Sequence, residues 1–453
     1  MPKENLLPTE RRDLGNGLSL RWSNIDDSEE IAYLASSVFR DGAGAPINVY
    51  MANLIRELMS GNHPLMGSGD FVVVEDTQRK EHPFVACTCF WSQTWEFEGI
   101  PFQFGRPEIV ATDPAYRNRG LVRAIFEVIH ARSEAEGHLA QAITGIRYFY
   151  RQFGYEYALD LGGRSITYLS LIPQAETGVP EPYILRDAVD ADIPLIRSLY
   201  DRRKVNSIVW SPLEDRWLRY HIQTWKTLNV EDSWHVQMIV DTSGVSKGFL
   251  LTPIIRWDQS IAVFALEVVP DLNLQEVLPV ILRAIHAQGL QVRAQADAGL
   301  LTEIHFNLGQ SHPVYDALGT ALAPKHIPPY AWYVRVANLP GFIQHIAPAL
   351  EQRLANSPLG SYNGELKLDF YRGGLRMVFE HGRLTVVEDW QRSTWEYNEN
   401  AAFPPLVFLQ LLFGYRSLDD LRYAFPDVKA KDESELVLNV LFPTRPSWVL
   451  PIG

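Results

Sequence analysis

The chain has 453 residues, of which 46% are hydrophobic and 21% are charged. These proportions are ordinary for a globular protein, and the length predicts roughly two to four domains. Acidic residues outnumber basic ones by 54 to 41, which gives a net charge of −13. This balance argues against a nucleic-acid-binding protein, which normally has a basic surface, and favours a cationic substrate.

Local sequence argues against three further features. The first feature is a disulfide. Cys87 and Cys89 are the only cysteines, and at i and i+2 in a strand they point to one face, which is too constrained for a usual disulfide. We interpret them as small core residues in a reducing compartment. The histidines are scattered and no Cys–His spacing matches zinc, so no metal is predicted. The N-terminus has no signal-peptide core, and the longest apolar run, 403–415, is too short and interrupted to span a bilayer. We therefore expect a cytoplasmic protein with no membrane partner.

In chain order, the first block runs from Leu18 to about Leu171 and predicts a β-meander followed by a strand–helix–strand unit. Its β-rich segments read FVVVED, FVACTCFWSQTWEF and IPFQFGRPEIVAT, with Val, Phe, Thr and Trp at strand-like spacing. The segment LVRAIFEVIHARSEAEG carries an apolar helical stripe that stops at Gly137. LAQAITGI then predicts a buried strand.

The Pro- and Gly-rich segment 171–183 predicts a linker to a second α+β block, 184 to about 336. That block contains, in order, FALEVV, Pro270, LQEVLPVILRAI, Gly289, LQVRAQA and YDALG. The first block has the same order of strand, Pro114, helix, Gly137, strand and YRQFG. We interpret the second block as a degraded duplicate; the alternative is that two unrelated α+β domains share this order by accident.

A third block starts near 337 and continues to the end of the chain. Its segment GELKLDFYRGGLRMVFEHGRLTVVED alternates like hairpins, with glycine-containing turns between the runs. The apolar segment PPLVFLQLLFGY has two interpretations, the core of a helix or the lining of a ligand tunnel.

A cluster of arginines lies where the first block changes from strand to helix, in the segment IVATDPAYRNRGLVRAIF. The first backbone N–H groups of a helix have no intrahelical partner, and the helix dipole makes that end positive. Gly120 allows close approach of a bulky anion, and Arg117, Arg119 and Arg123 add guanidinium groups that suit phosphate oxygens. The sequence therefore predicts a phosphate or pyrophosphate site here, although an arginine-rich helix start is often only a solvated end. The second block has DLNLQ in its place.

With its downstream segment FYRQFGYE, this motif resembles the GNAT superfamily of acyl-CoA-dependent N-acetyltransferases. The usual loop pattern is Gln/Arg-x-x-Gly-x-Gly/Ala; Arg117 and Gly120 match it, whereas Val122 departs from its last position. The whole chain is similar to the enhanced-intracellular-survival type. That resemblance implies two tandem GNAT-like mixed-sheet domains followed by a sterol-carrier-protein-like α+β domain, with boundaries at 1–175, 183–336 and 337–453. It also implies a homo-oligomer, such as a hexamer.

The resemblance implies an acetyl-CoA-dependent N-acetyltransferase that needs no metal and acts on a primary amine of a small cationic acceptor, such as an aminoglycoside, a polyamine or a lysine side chain. Attack in a ternary complex is the implied mechanism. Strand residues would hold the pantetheine and acetyl carbonyl, the loop would hold the pyrophosphate, and the next strand would line the cofactor. In that order the implied residues are Val110, Ala111, Thr112; Asn118, Arg119, Gly120, Leu121, Val122, Arg123, with Arg117 preceding them; and Gly145, Ile146.

The reaction needs a base and an acid. An alkyl amine has a pKa near 10, so only about one molecule in a thousand is neutral at pH 7. For the base, the resemblance implies the terminal carboxylate, here on Gly453, and Glu108 or Asp70 acting through a water are alternatives. Tyr150 is the candidate acid that protonates the thiolate, and its alternative role is a buried aromatic with a bonded hydroxyl.

Several alternatives stay open at this point. Trp91, Trp95 and Phe104 either line an acceptor pocket by cation–π contact or pack in the core. The chain as a whole is either an enzyme or a non-catalytic acyl-CoA or lipid-binding protein. The second and third blocks serve either a ligand or mainly assembly.

Overall fold

The structure is a computed structural model that describes residues 10–42, 44–226, 233–256, 258–294, 298–393 and 399–450. Within those ranges the chain forms several mixed sheets packed with helices, which confirms the predicted α+β class. The first part of the chain contains β1 (Arg12–Gly15), β2 (Leu18–Trp22), α1 (Ser28–Val38), α2 (Val49–Met59), β3 (Phe71–Asp76), β4 (Phe84–Phe97), β5 (Ile100–Thr112), α3 (Leu121–Ala135), β6 (Ala140–Ile143), β7 (Glu156–Leu161) and β8 (Arg164–Tyr168).

The remaining elements follow the linker. The second part contains β9 (Tyr183–Asp187), α4 (Ile193–Asp201), β10 (Val209–Trp210), α5 (Asp215–Thr224), β11 (Trp234–Asp241), β12 (Ser246–Pro253), β13 (Ile255–Arg256), β14 (Ser260–Val263), β15 (Ala265–Val268), α6 (Leu274–Gly289), β16 (Arg293–Ala294), β17 (Glu303–Phe306), α7 (Pro313–Leu322), β18 (Lys325–Ile327) and β19 (Tyr330–Arg335). The third part contains α8 (Leu339–His345), α9 (Ala347–Ala355), β20 (Gly364–Asp369), β21 (Gly374–Glu380), β22 (Arg383–Asp389), β23 (Ala401–Ala402), α10 (Phe408–Leu412), α11 (Leu418–Ala424), β24 (Lys429–Ala430) and α12 (Asp432–Leu441).

The first sheet has the order β1-β2-β3-β4-β5-β6-β19-β7, with β10 beside β4. Its neighbours are antiparallel except β5 and β6, which are parallel. The apolar sides of α1 and α2 cover one face, where Cys87 and Cys89 are buried as predicted core residues. The stripe of α3 covers the other face, through Leu121, Ile125 and Ile129. The predicted segments of β3, β4 and β5 and the predicted helix α3 are confirmed.

The second part forms two four-stranded sheets, ordered β15-β12-β11-β9 and β14-β17-β8-β18. Strands cross between the first two parts, because β8 joins the second sheet system and β19 inserts between β6 and β7 of the first. The predicted strand LQVRAQA is confirmed in part: it contains β16, paired with β13, and residues 295–296 lie outside the described ranges. The parallel partner of β14 is instead β17. The domain boundaries 1–175, 183–336 and 337–453 stay a prediction.

The third part has a five-stranded sheet, β22-β21-β20-β23-β24, whose first three strands are the predicted hairpins. Helix α10, from the apolar segment 403–415, is buried throughout, so the structure shows the core of a helix at this position. One hydrophobic core joins this part to the first sheet, with Phe342 and Phe413 against Phe97. None of the helices described is long and apolar enough to cross a membrane.

Residues 446–450, here called the C-terminal strap, run beside β10. Trp448 forms a parallel bridge with Trp210, and the Leu450 N–H donates to Ser211 Oγ at 2.8 Å. Because β10 is antiparallel to β4, the strap runs along β4 from the level of Phe97 toward Trp91.

Candidate active site

A β-bulge interrupts β5 next to β4. Cys87 pairs with Ala111 and Cys89 pairs with Glu108, so Ile109 and Val110 together stand opposite one residue of β4. Ile109 has a left-handed φ of 53°, which is strained for a β-branched residue and is a conformation that concentrates at functional sites. The bulge bends β5 and turns Val110 away from the face that carries Glu108.

Strands β5 and β6 separate at this bend. Their parallel pairing is confined to Phe104 with Ala140 and Gly105 with Gln141, while β5 continues to Thr112. The backbone of Val110, Ala111 and Thr112 therefore borders an opening between the two strands. These are the residues that the family resemblance implies for the pantetheine chain.

The turn between β5 and α3 leaves the start of the helix open. Asp113 accepts a hydrogen bond from the Ala115 N–H at 2.9 Å and fixes a short 3₁₀ turn. Asn118 and Gly120 then take left-handed φ values of 62° and 77°, and α3 starts with no side-chain cap from the described residues. Its first N–H groups are thus available to an anion.

The three arginines are held differently. Arg119 donates to the Ala115 carbonyl at 3.1 Å and lies 4.5 Å from the centre of the Tyr116 ring. Arg123 donates to Gln152 Oε1 at 3.1 Å. Arg117 is exposed, and no residue in the described ranges forms a hydrogen bond or ion pair with it. The turn therefore keeps one guanidinium group without a partner beside the open helix end.

Two further residues of the α3 start pack inward. Leu121 is buried in the core under α3, and Val122, the departure from the family pattern, packs against the aromatic cluster around Phe126. The side chain of Val122 therefore points toward the protein, and the N–H groups of this turn stay on the open side.

Tyr150 is 2% exposed and packs between Phe126 and Tyr333, at ring-centre distances of 5.7 and 5.4 Å. A Cβ built on Gly145 would lie 3.7 Å from the Tyr150 hydroxyl, and that hydroxyl has no hydrogen-bond partner among the described residues. Burial and the nearby Glu108 raise the pKa of Tyr150, so the hydroxyl stays protonated at neutral pH. Ile146, on the same loop, is exposed.

Glu108 and Arg106 form a largely buried ion pair on the α1–α2 face of the sheet. Arg106 Nε lies 3.0 Å from Glu108 Oε1, and the two side chains are 5% and 16% exposed. The guanidinium lies between the rings of Trp91 and Trp332, at 5.1 and 4.7 Å from their centres. Burial raises the pKa of Glu108, and Arg106 opposes that shift. A carboxylate with a raised pKa beside the opening is suited to accept a proton.

The other two candidate bases are Asp70, which lies far from the opening, and Gly453, which the structure does not describe. Asp70 pairs with Arg132 in the last turn of α3, at 2.7 Å, about 16 Å along the helix from its open start at 1.5 Å per residue. Gly453 lies outside the described residues. The strap is described as far as Leu450, which is buried beside Gln93 and Trp95 of β4.

The three aromatic candidates for an acceptor pocket have different surroundings. Trp95 and Phe104 are stacked at 3.7 Å in the core that joins the first sheet to the third part, so core packing describes both. Trp91 lies against the Arg106 guanidinium. Its contact with a cation is therefore internal to the protein.

Sequence reasoning missed Arg106 and Trp332. A signal for Arg106 exists, because it stands two residues before Glu108 and a regular strand places both on one face. No local signal marks Trp332, since β19 reaches the first sheet only through its insertion between β6 and β7.

The corresponding parts of the second block are closed. Asn273 caps α6 by accepting from the Gln275 N–H at 3.0 Å. The Tyr315 hydroxyl, which the predicted duplication aligns with that of Tyr150, accepts from the Leu308 N–H at 2.9 Å. An open helix start and a partner-free tyrosine hydroxyl therefore occur together in the first block and not in the described part of the second.

Comparison with known proteins gives one family match and several structural ones. The acetyltransferase (GNAT) domain family matches residues 19–158. No curated protein matches the sequence.

Among solved structures, the chain is similar to a probable N-acyltransferase from Enterococcus faecalis, with 14% identity, a TM-score of 0.63 and coverage of 96% of this chain and 98% of the other. A GCN5-related N-acetyltransferase from Kribbella flavida has 17% identity and a TM-score of 0.61, with 96% and 98% covered. Eis1 from Mycobacterium abscessus has 12% identity and a TM-score of 0.56, with 96% and 99% covered. At such identities these likenesses show the fold, over nearly the whole chain. Residues 19–158 thus match the acetyltransferase (GNAT) domain family, and the chain has the overall fold of these structures.

Proposed function

We propose that the protein transfers an acetyl group from acetyl-CoA to a primary amine of a small cationic acceptor, by direct attack in a ternary complex. The observation that carries this proposal is the combination of an uncapped α3 start, the unpaired Arg117 and the partner-free Tyr150 hydroxyl around one opening. Acetyl-CoA supplies the thioester, and no metal is required.

The proposed cofactor site uses the two sides of the opening. The backbone of Val110, Ala111 and Thr112 pairs with the pantetheine chain, because the separation from β6 leaves that edge of β5 unpaired. The turn at 117–123 holds the pyrophosphate through its N–H groups and Arg117. Gly145 and Ile146 line the opposite side.

Glu108 is the base that the geometry favours. Its pKa is raised by burial, which brings it closer to that of the acceptor ammonium, and it shares the α1–α2 face with Arg106 and Trp91. It takes the proton directly or through a water, and the neutral amine attacks the carbonyl carbon. The terminal carboxylate of Gly453 stays the second candidate for this role.

Tyr150 assists the departure of the thiolate. As the C–S bond breaks, its hydroxyl donates a hydrogen bond, and then its proton, to the sulfur. The nitrogen that attacked loses its second proton to give the amide, and that proton restores the Tyr150 hydroxyl. The raised pKa of Tyr150 means that donation is most favourable when negative charge has developed on sulfur, so the contact strengthens in the transition state.

The nature of the acceptor follows from charge. With a net charge of −13, the protein attracts polycations, and an aminoglycoside, a polyamine or a lysine side chain all present primary amines. A cytoplasmic location, a homo-oligomer such as a hexamer, and a sterol-carrier-like third domain complete the proposal; light scattering tests the oligomer, and a monomer would remove that part.

Release of free thiol from acetyl-CoA tests the activity against its alternative, a non-catalytic acyl-CoA or lipid-binding protein. The purified chain is mixed with acetyl-CoA and, in turn, a polyamine, an aminoglycoside and a lysine peptide, and free thiol is measured. We expect amine-dependent release with at least one of them. Tight CoA binding by calorimetry with only background thiol release would support the binding protein instead.

A further inference from the structure

The second block keeps an opening of the same topology as the active site. Strand β14 pairs in parallel with β17 up to Val263 and Phe306, and β15 then continues with β12 on its other side. A cavity of about 470 Å³ lies between β15 and residues 309–313. This volume is in the range of small-molecule sites. We call it the second cleft.

The second cleft is not suited to acetyl-CoA. The start of α6 is capped by Asn273, and its first turn carries Glu276, so a pyrophosphate would meet a filled helix end and a negative charge. The Tyr315 hydroxyl is bonded to the backbone of Leu308. A ligand here would be bound without acetyl transfer.

The deep polar groups of the cleft satisfy one another. Glu267 Oε1 lies 3.1 Å from His312 Nε2 and 3.4 Å from Arg203 Nη1. Burial and nearby Arg203 lower the pKa of His312 to about 4, so the ring is neutral at pH 7. The charges of Arg203 and Glu267 therefore cancel, and the bottom of the cleft carries no net charge.

Two charged side chains of the cleft remain available. Arg202 is exposed and forms one hydrogen bond, from Nη1 to the Val268 carbonyl at 3.1 Å, out of the five N–H donors of a guanidinium. Asp316, in the first turn of α7, is exposed and has neither a hydrogen bond nor an ion pair with any residue described. Apolar side chains of Leu266, Leu272 and Trp448 complete the lining.

From this arrangement we propose that the second cleft binds a small amino carboxylate. Its carboxylate contacts Arg202, its ammonium contacts Asp316, and its apolar body lies against the leucines and Trp448. A simple anion would face Asp316 and a simple amine would face Arg202, so each alone meets one favourable and one unfavourable charge. The proposal does not depend on acetyl transfer in the first block.

Calorimetry on the full chain tests it with two matched sets of probes. One set is leucine, 4-methylpentanoate and isoamylamine; the other is 6-aminohexanoate, hexanoate and hexylamine. Within each set, the last two compounds lack one charged group of the first. We expect at least one amino carboxylate to bind about tenfold or more tightly than its partners, the effect of losing one charge-assisted contact.

Variants then locate the site. Arg202→Gln and Asp316→Asn should each weaken that binding about tenfold, with acetyl-CoA binding and the thermal midpoint unchanged. Arg197→Gln is the control, since Arg197 is an exposed arginine of the same block, paired with Asp215 outside the cleft. The absence of heat from both amino carboxylates at millimolar concentration would overturn the proposal, as would binding that Arg202→Gln leaves intact.

Discussion

The hydroxyl of Tyr150 differs from those of two other tyrosines, one beside it and one in the second part of the chain. Tyr155 donates to Gln141 and Tyr315 is bonded to the backbone, whereas Tyr150 has no partner in the described ranges. A bound thioester sulfur beside Gly145 would give this hydroxyl a hydrogen-bond partner.

Tyr150→Phe should therefore reduce kcat by roughly a hundredfold, the effect of losing one donor to developing charge, with little change in CoA affinity. Tyr155→Phe is the matched control: it also removes a buried hydroxyl, and we expect it to lower thermal stability and spare turnover. Steady-state thiol release and CoA titration measure both. A Tyr150→Phe enzyme with unchanged kcat would exclude this residue as the acid.

Arg106 bears on the proposed role of Glu108 as the base, because the two side chains form an ion pair. Its positive charge opposes the burial that raises the pKa of Glu108, so Arg106→Gln should raise that pKa further. Because the base works deprotonated, the acidic limb of the kcat/KM profile should move to higher pH, by about one unit or more. Arg106→Lys, which keeps the charge, should move it less. A limb that stays in place in Arg106→Gln would indicate that another group, such as the Gly453 carboxylate, is the base.

At the scale of elements, α3 has a glycine at each end in a left-handed conformation. Gly120 has φ 77° and Gly137 has φ 75°, and a Cβ at either position would meet no atom within 4 Å. Alanine at each position therefore introduces a similar backbone strain of about 1 kcal/mol.

This pair separates strain from anion binding. Gly120→Ala and Gly137→Ala should lower the free energy of unfolding by similar amounts, while only Gly120→Ala weakens CoA binding, because its methyl group lies beside the open helix start. Urea unfolding and calorimetry measure the two effects. Equal CoA affinities in the two variants would show that the anion does not approach Gly120.

The elements that the sequence predicts well are those with local signals. The alternating or continuously apolar segments of β3, β4 and β5 and the stripe of α3 each carry their own periodicity. Gly120 and Arg117 stand at the predicted strand-to-helix turn, because local sequence marks both the end of that strand and the start of that helix. The position of β19, and with it Trp332 beside Arg106, depends on pairing between distant parts of the chain. LQVRAQA has a strand-like composition, but the parallel position beside β14 is taken by β17.

At the scale of the whole molecule, the C-terminal strap and the residue before it join the three parts of the chain. Ser447 N–H donates to Asp160 of β7 at 3.1 Å, and the Trp448 indole donates to Tyr200 of α4 at 3.0 Å. Just before the strap, Arg445 pairs with Glu98, which also pairs with Arg353 of α9. Residues 445–448 therefore link the first sheet to the other two parts through buried and half-buried polar contacts.

Asp160 makes this link sensitive to pH. Burial raises the pKa of Asp160 from 3.8 to about 6, so the folded state binds the proton more tightly than the unfolded state. Stability associated with that proton is present below pH 3.8 and is lost as the pH rises through about 6.

Asp160→Asn removes the buried charge and keeps an oxygen that accepts from Ser447. We expect the variant to gain on the order of 1–3 kcal/mol in the free energy of unfolding at pH 8 and nothing at pH 4. Urea unfolding at both pH values measures this, with Asp41→Asn, at an exposed aspartate, as the control. A loss of stability at pH 8 would instead mean that the charged hydrogen bond to the strap outweighs the desolvation of Asp160.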